Sequence, residues 1–323
     1  MPRLATRFNA HVIATPDLLP DAAMPIRQHA GMLRFLPARL HVWLTAPHAV
    51  RADALREFLW FGLKEAASCS FAGGFFLLLA ASRVVSTAPV PRYDAILLGA
   101  LALQAAMLWT RLETRDELKT IALFHLLGFA LEAFKSNPAI GSWSYPEFAY
   151  SKLLGVPLYA GFMYASVASY MVQAWRFFDL RLRNAPDPRL SAAVAIAIYA
   201  NFFTHHFLPD LRWLLTLLLL ALFRRTRVYF TPWRRRLWMP LPLAFVLIGF
   251  FLWVAENAAT FLGAWTYPDQ HLSWRMVHAG KIGSWALLVV MTFVIVADLK
   301  DLKMRLHRAS STAGRIGRPV RDD

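Results

Sequence analysis

The sequence predicts an all-α membrane protein, a polytopic bundle of about eight transmembrane helices. Hydrophobic residues occupy 57% of the 323 positions and charged residues only 17%, against about 25% charged residues in an average soluble domain. Mean hydropathy is +0.40. Long apolar runs such as WLLTLLLLALF and ALLVVMTFVIVA separate short charged stretches. A soluble chain of this length could not bury so many apolar runs, which indicates an integral membrane protein.

The individual elements follow from the spacing of apolar and charged residues. Residues 50–64 combine both kinds at helical spacing and are predicted to form a helix on the membrane surface. Only THHFLPD separates the fifth and sixth apolar segments, so these two could instead form a hairpin that enters the membrane incompletely. The predicted spans lie near residues 66–82, 93–110, 118–134, 152–175, 190–207, 211–226, 240–262 and 279–298.

These spans divide the chain into three regions. Residues 1–57 are predicted to be a partly disordered cytoplasmic arm with the surface helix, and residues 58–299 the transmembrane domain. Residues 300–323 are predicted to be a disordered basic cytoplasmic tail.

Basic residues predict the orientation in the membrane, because cytoplasmic loops are enriched in Lys and Arg. Every second connection is basic, which favours an even number of spans, both termini in the cytoplasm and location in the bacterial inner membrane. The net charge of +15 is thereby explained as a topology signal. Nucleic acid is excluded as a partner because the charge is divided among separate loops. The basic groups are Arg111, Arg115 and Lys119; Arg176, Arg181, Arg183 and Arg189; and Arg224, Arg225, Arg227, Arg234, Arg235 and Arg236.

A short motif occurs twice, as GSWSYPE at residues 141–147 and as GAWTYPD at residues 263–269. Both copies fall on the predicted outer side, four spans apart. This arrangement predicts a parallel four-plus-four internal repeat with half-repeats at about 58–176 and 190–299. In each half, a glutamate precedes the motif and a lysine follows it: Glu132 and Lys152 in the first half, Glu256 and Lys281 in the second.

The two glutamates are the candidate catalytic residues. An ionisable side chain in hydrocarbon costs about 2.5–3.5 kcal/mol on insertion scales and is generally functional. A buried carboxyl group can hold a proton at neutral pH and act as an acid. A local ion pair with Lys135, one turn further along, is the structural alternative for Glu132.

The aromatic residues of the motif have two interpretations. Trp and Tyr often anchor a protein at the headgroup level, or they could line a substrate site. The substrate-binding candidates are Trp143, Tyr145, Lys152, Asn257, Trp265, Tyr267 and Lys281. The motif acids, Glu147 and Asp269, are predicted to be solvated loop residues.

The remaining polar residues favour no metal site. Adjacent His205 and His206 point to different faces of a helix and so make a poor ligand pair. With Asp210 they are weak metal candidates. His271 and His278 lie on the same predicted side and could complete a site only through the fold, so a hydrogen-bonded polar cap on the fifth span is favoured. His125 is a second candidate polar group in the interior. Cys69, the single cysteine, is predicted to be a buried apolar residue of the first span.

Three segments of the chain resemble the bacterial membrane family catalogued as domain of unknown function 817: GVPLYAGFMYASVASYM, NFFTHHFLPDLRW and AENAATFLGAWTYPDQ, the last followed by KIGSW. The resemblance extends from about residue 55 to about residue 300 and implies a membrane protein, without supplying a catalytic residue.

The run from Glu132 through GSWSYPEFAYSKLLGVPL is similar to the carotenoid hydratase family, whose pattern is a glutamate, Gly-x-Tyr-x-Tyr and Gly-Val-Pro-Leu. Trp143 replaces the first Tyr of that pattern, and the gap from glutamate to glycine is shorter. The similarity covers about thirty residues and implies that the family's glutamate corresponds to Glu132.

Three functions fit these features. The favoured one is a membrane-embedded enzyme that uses carboxylate acid/base chemistry near the outer face on a lipophilic substrate, with isoprenoids as one class. The second is a transporter of protons or small solutes, and the third is an accessory or assembly protein. The lipid bilayer is the expected partner, and no residue pattern indicates a cofactor.

Overall fold

Helices dominate the structure, which confirms the predicted all-α class in outline. The computed structural model describes residues 50–316, with side chains for residues 53–298. The predicted arm (residues 1–57) and the predicted tail (residues 300–323) lie partly outside this description, in residues 1–49 and 317–323. Within it, the helices are α1 (Val50–Ser68), α2 (Ser70–Val84), α3 (Arg92–Trp109), α4 (Arg115–Lys135), α5 (Ala160–Phe177), α6 (Pro188–Thr204), α7 (Arg212–Phe223), α8 (Leu241–Phe261) and α9 (Lys281–Ile316).

Each predicted span overlaps one helix from α2 to α9, with different boundaries in several cases. Local sequence explains some of the observed boundaries. Thr114 and Glu117 form a capping box before α4: the Thr114 hydroxyl accepts from the Glu117 N–H at 3.2 Å and the Glu117 carboxylate accepts from the Thr114 N–H at 2.8 Å. Asp187 caps α6, and Pro188 occupies its first turn. The last helix, α9, continues to Ile316, past residue 300 where the predicted tail begins.

Cys69 separates α1 from α2, and the two helices are bent by 61° at this break. Cys69 is exposed, so its prediction as a buried apolar residue is wrong. The physical reason is that residues 50–68 form a separate helix, which leaves Cys69 at the junction between two helices rather than within one.

Among the residues that the structure describes, two helical segments are long and apolar enough by themselves to cross a membrane: Leu241–Phe261 and Lys281–Asp298. A third is added if the bent pair α1–α2 counts as one span. On α8, apolar side chains such as Phe251 (67% exposed) and Val246 (50% exposed) face outward, as expected for contact with lipid. By contrast, α7 has 12 residues and a length of about 18 Å, which is less than the sixth span was predicted to have.

Short strands occur where the sequence predicted loops or helix. Lys152–Leu153 (β1) and Val156–Pro157 (β2) form a hairpin, so α5 begins at Ala160 rather than at residue 152. Arg181–Arg183 (β3), Arg227–Phe230 (β4) and Leu237–Pro240 (β5) form an antiparallel sheet in the order β3-β4-β5. This sheet joins the basic connections α5–α6 and α7–α8 at one end of the bundle.

Helix α1, the predicted surface helix, is hydrogen-bonded to this same end of the bundle. The Glu57 carboxylate accepts hydrogen bonds from the backbone N–H groups of Trp233, Arg234 and Arg235 at 3.1, 3.0 and 2.8 Å. Both motif copies lie in the connections α4–α5 and α8–α9, at the opposite end. The most extensive helix–helix contacts join α4 to α5 and α8 to α9, the helices on either side of these two connections.

Candidate functional site

The two copies of the motif are paired with each other. Ser144 and Thr266 exchange both backbone hydrogen bonds, at 2.9 and 3.0 Å, as in a hydrogen-bonded antiparallel pair. Each is the middle residue of its Trp-x-Tyr triplet, so equivalent positions meet, as a two-fold axis between the copies would require. Tyr145 and Trp265 are only 6% and 7% exposed. The aromatic residues therefore pack inside the protein, and the interpretation as headgroup anchors is wrong for these two.

Glu132 lies on the last full turn of α4 and is 3% exposed. Its Oε2 accepts hydrogen bonds from Trp143 Nε1 and from the Tyr145 hydroxyl, both at 2.6 Å. Its Oε1 accepts from the Tyr164 hydroxyl of α5 at 2.8 Å. Two motif residues and one residue of the following helix thus surround the carboxyl group.

Glu256 occupies a matching position on α8 and is 4% exposed. Its Oε1 accepts from the Tyr267 hydroxyl at 2.5 Å, and its Oε2 accepts from Trp285 Nε1 of α9 at 2.8 Å. As at Glu132, the donors include a motif tyrosine and an aromatic residue of the following helix. Both glutamates are enclosed by aromatic hydrogen-bond donors.

Lys281 connects the two glutamate environments. Its Nζ is 3.1 Å from the Tyr267 hydroxyl and lies 5.5 Å from the centroid of the Trp143 ring. The Trp143 and Tyr267 rings meet edge to face with centroids 6.0 Å apart. The structure thus unites Glu132, Trp143, Tyr145, Glu256, Tyr267 and Lys281 in one aromatic and ionisable cluster, which we call the paired-glutamate site.

Three predicted substrate-binding residues are not members of this cluster: Trp265, Lys152 and Asn257. The Trp265 ring meets the Tyr267 ring edge to face, with centroids 6.5 Å apart. Lys152 is in the β1–β2 hairpin, where its Nζ donates to the Tyr145 carbonyl at 2.7 Å and lies over the Tyr93 ring. Asn257 fastens the α8–α9 connection: its Oδ1 accepts from the Val277 N–H at 2.8 Å, and its amide donates to the Trp253 carbonyl. Lys152 and Asn257 both bind backbone groups, so the structure gives each of them a role in holding a loop.

Glu132 and Lys135, both within the described residues, do not form the ion pair that is the structural alternative for Glu132. Lys135 is buried, and its Nζ lies 3.2 Å from His205 Nε2 and 2.7 Å from His206 Nε2. The reason is the position of the α6–α7 turn, which places both histidine rings over the end of α4. Because a lysine ammonium is a donor, the two histidines act as acceptors here.

Asp210 is engaged by Arg212, whose guanidinium and backbone N–H both donate to it. Over residues 53–298, no three His, Cys, Asp or Glu side chains converge as a metal site would require. His271 and His278 are exposed on the α8–α9 connection, and the ring of His125 packs edge-on against Phe162.

Glu147 is partly buried and ion-paired, so its prediction as a solvated loop acid is wrong. Arg92 Nη1 donates to its Oε1 at 2.8 Å, and the same guanidinium donates to the Leu262 and Gly263 carbonyls. Arg92 thereby ties the first motif copy to the second. Asp269 is exposed.

Sequence reasoning missed a further buried carboxyl group, Glu113, in the α3–α4 connection at the opposite end of the bundle. It is 2% exposed and accepts hydrogen bonds from Ser169 Oγ and Gln104 Nε2, both at 2.5 Å. Burial raises the pKa of Glu113 above its ordinary value. Its sequence context, RLETRDE, is that of a solvated loop and carries no signal of burial.

Glu113→Gln is expected to change the pH dependence of stability. Because the folded-state pKa is raised, the stability contributed by Glu113 is complete below its unfolded-state pKa and is lost as the pH rises through the folded-state value. The Gln variant has no charge to bury, so its unfolding temperature should exceed that of the wild type by a margin that grows from about pH 5 to about pH 8. Thermal unfolding of the purified protein in detergent measures this margin. A margin that is constant with pH would contradict a raised pKa.

The structure combines apolar helices with a buried site that contains two carboxyl groups. The molecule is therefore a helical, membrane-associated protein with an internal ionisable site. The family described as Protein of unknown function (DUF817) matches residues 57–293, and the chain belongs to this family, which confirms the resemblance found in the sequence. The chain is 51% identical over 250 residues to Uncharacterized protein YoaT of Bacillus subtilis (strain 168), an alignment that covers 77% of this chain and 94% of that protein. No solved structure matches. The similarity to carotenoid hydratases is not shown by these matches.

Proposed function

We propose that the protein is an enzyme of the bacterial inner membrane in which Glu132 and Glu256 perform acid/base chemistry on a lipophilic substrate near the outer face. The observation that carries this proposal is the contact of two buried carboxyl groups with tyrosine hydroxyls inside one aromatic cluster. A carboxyl group bonded to a tyrosine can pass a proton through the hydroxyl. Aromatic faces can stabilise a positive charge that develops on a substrate.

Lys281 supports this assignment because it supplies a positive charge between the two carboxyl groups. Its contact with the Tyr267 hydroxyl places it one hydrogen bond from Glu256. One glutamate can then remain an anion while the other carries the proton, which is the division of roles that acid/base catalysis needs. An isoprenoid is one substrate class that fits the aromatic lining.

A transporter is the second candidate, and the pairing of Ser144 with Thr266 favours it. Two half-repeats around a central ionisable pair are a common transporter plan, with the binding site at helices that are broken in mid-membrane. Here α4 and α8 continue unbroken through Glu132 and Glu256. This continuity favours the enzyme over the transporter.

The proposed topology has eight spans, a parallel four-plus-four repeat and both termini in the cytoplasm. The grouping of alternate connections at opposite ends of the bundle supports it. Alkaline phosphatase fusions after residues 147, 208 and 270 are expected to be active, and green fluorescent protein fusions after residues 185, 232 and 305 to fluoresce. A C-terminal fusion that reports the outer side would contradict both the even number of spans and the parallel repeat.

The proposed function is tested with a strain that lacks the gene, complemented with the double variant Glu132→Gln/Glu256→Gln. The wild-type chain is expected to restore the lipid and pigment profile of the membrane, and the double variant to leave it unrestored at equal expression. Asp269→Asn is the matched control, because it neutralises an exposed acid in the same motif and is expected to restore the profile. Full restoration by the double variant would refute the enzyme and the proton-coupled transporter together. Accumulation of a solute, with an unchanged lipid profile, would favour the transporter.

A further inference from the structure

A cavity of about 330 Å³ opens at the end of the bundle opposite the paired-glutamate site. It lies between the end of α7, the start of α8 and the edge of the three-stranded sheet. Its lining contains three arginines and one exposed tryptophan: Asn184, Arg224, Arg225, Thr226, Arg227, Trp238 and Pro240. We call it the arginine cavity.

The positive charge of the arginine cavity is not compensated by the acids that the structure describes. Among residues 53–298, no carboxylate forms an ion pair with Arg224, Arg225 or Arg227. Asp179, an acid beside β3, is already paired with Arg181 at 3.3 Å and with Arg236 at 2.9 Å. Three arginines without a described acidic partner therefore line the cavity and can offer donors to an anion.

The backbone around the arginine cavity is fixed by local hydrogen bonds. Thr226 is 1% exposed, its hydroxyl donates to the Asn184 carbonyl at 2.9 Å, and its own carbonyl accepts from the Leu241 N–H at 3.0 Å. Asn184 has a φ of +55°, a conformation that asparagine adopts more readily than most residues. The arginines therefore extend from backbone segments that these hydrogen bonds fix near the start of α6, the end of α7 and the start of α8.

One guanidinium is also oriented by an aromatic ring. The Arg227 Cζ lies 4.1 Å from the centroid of the Trp238 ring. The register of β4 and β5 brings these two residues to the same face, since Arg227 pairs with Pro240 and Tyr229 pairs with Trp238. A stacked guanidinium keeps its edge free for a two-point contact with a phosphate.

The surroundings of the arginine cavity are those of a membrane interface. Trp238 is 49% exposed and Leu237 40% exposed, and α8, one of the two helices apolar enough to span a membrane, begins at Leu241 beside the cavity. Tryptophan is enriched at the headgroup level. The N-terminal end of a helix adds partial positive charge.

We propose that the arginine cavity binds the phosphate of an anionic phospholipid in the leaflet on the predicted cytoplasmic side. Arg224 and Arg227 contact the phosphate oxygens, and Trp238 packs against the headgroup region of the same lipid. A soluble phosphate has the same binding chemistry, but the apolar residues and the start of α8 at the cavity mouth favour the lipid. This site is independent of the proposed enzymatic function.

Native mass spectrometry of the purified full-length protein in a neutral detergent tests this proposal. Dioleoylphosphatidylglycerol is titrated against dioleoylphosphatidylcholine, and inorganic phosphate is titrated in a separate arm. The wild type is expected to retain phosphatidylglycerol at least about tenfold more tightly than phosphatidylcholine, and Arg224→Gln/Arg227→Gln to lose this preference. The matched control, Arg115→Gln/Arg189→Gln, removes two exposed arginines from the same end of the bundle and is expected to keep it.

Three results would overturn the proposal. Equal loss of the preference in the control variant would show attraction to surface charge in general. Competition by millimolar inorganic phosphate, without retention of phosphatidylglycerol, would assign the arginine cavity to a soluble phosphate. Equal retention of both lipids by the wild type would contradict the proposal even if the double variant failed to fold. Arg227→Lys, which keeps the charge but loses the planar fork, is expected to give an intermediate preference.

Discussion

Glu256→Gln is expected to abolish restoration of the deletion strain while leaving the unfolding temperature within a few degrees of the wild type. A glutamine can satisfy this position: its amide oxygen accepts from Trp285 Nε1, and its NH₂ group donates to the Tyr267 hydroxyl, which can accept as well as donate. The substitution therefore removes the transferable proton and the negative charge, with little loss of hydrogen bonding.

The same reasoning applies to Glu132→Gln. The amide oxygen accepts from Trp143 Nε1 and the Tyr145 hydroxyl, while the NH₂ group donates to the Tyr164 hydroxyl. Loss of function in either Gln variant, at normal stability, assigns the glutamate to the chemistry of the site.

Alanine substitutions separate the chemical role from a structural one. Glu256→Ala leaves the Tyr267 O–H and the Trp285 N–H without an acceptor, although the Tyr267 oxygen still accepts from Lys281. The cost is about 1–3 kcal/mol for each donor that is left unsatisfied. If Glu256 were structural only, the Gln variant would restore the strain fully and the Ala variant would fail through low stability. Complementation, measured together with thermal unfolding in detergent, distinguishes these outcomes.

Gly249→Leu is expected to prevent recovery of folded protein, and Gly249→Ala to lower its stability by about 1–3 kcal/mol. Gly249 lies where α8 crosses α9, and a Cβ atom there would come within 2.8 Å of the Ala286 backbone nitrogen and 3.0 Å of its Cα. Since these are backbone atoms, no rotamer change relieves the contact, and the two helices must separate. Small residues at such crossings allow membrane helices to pack closely.

Gly73→Ala provides the matched control for this prediction. Gly73 is also inside a helix, α2, but a Cβ atom there meets no atom within 4 Å. Its unfolding temperature is expected to equal or slightly exceed that of the wild type, because alanine favours the helix. An unfolding temperature for Gly249→Ala as high as that for Gly73→Ala would contradict the close crossing of α8 and α9.

The helices and the repeated motif could be predicted from the sequence, because the hydropathy of a segment and the positions of rare residues are properties of the sequence itself. The positions of the helices, the two Trp-x-Tyr-Pro copies and the membership of the family all follow from such patterns. Glu132 and Glu256 could be chosen because a carboxylate in an apolar run is rare. Their environments also include Tyr164 and Trp285, which no motif marks.

Other residues gave no usable signal because their roles depend on contacts between distant parts of the chain. Glu113 sits in a polar loop, and its burial depends on Gln104 and Ser169 from the neighbouring helices. Lys135 is one turn from Glu132 on the same helix, yet it turns to His205 and His206 because the α6–α7 connection folds over it.

The sequence by itself determined that the chain is helical and apolar, where its helices lie, and that two similar units contain a glutamate each. Only the tertiary structure decided that these units meet at Ser144 and Thr266, which places both glutamates in one paired site with Lys281. The physical reason is that hydropathy and helical periodicity depend on neighbouring residues, whereas hydrogen bonding between the units depends on how the helices pack.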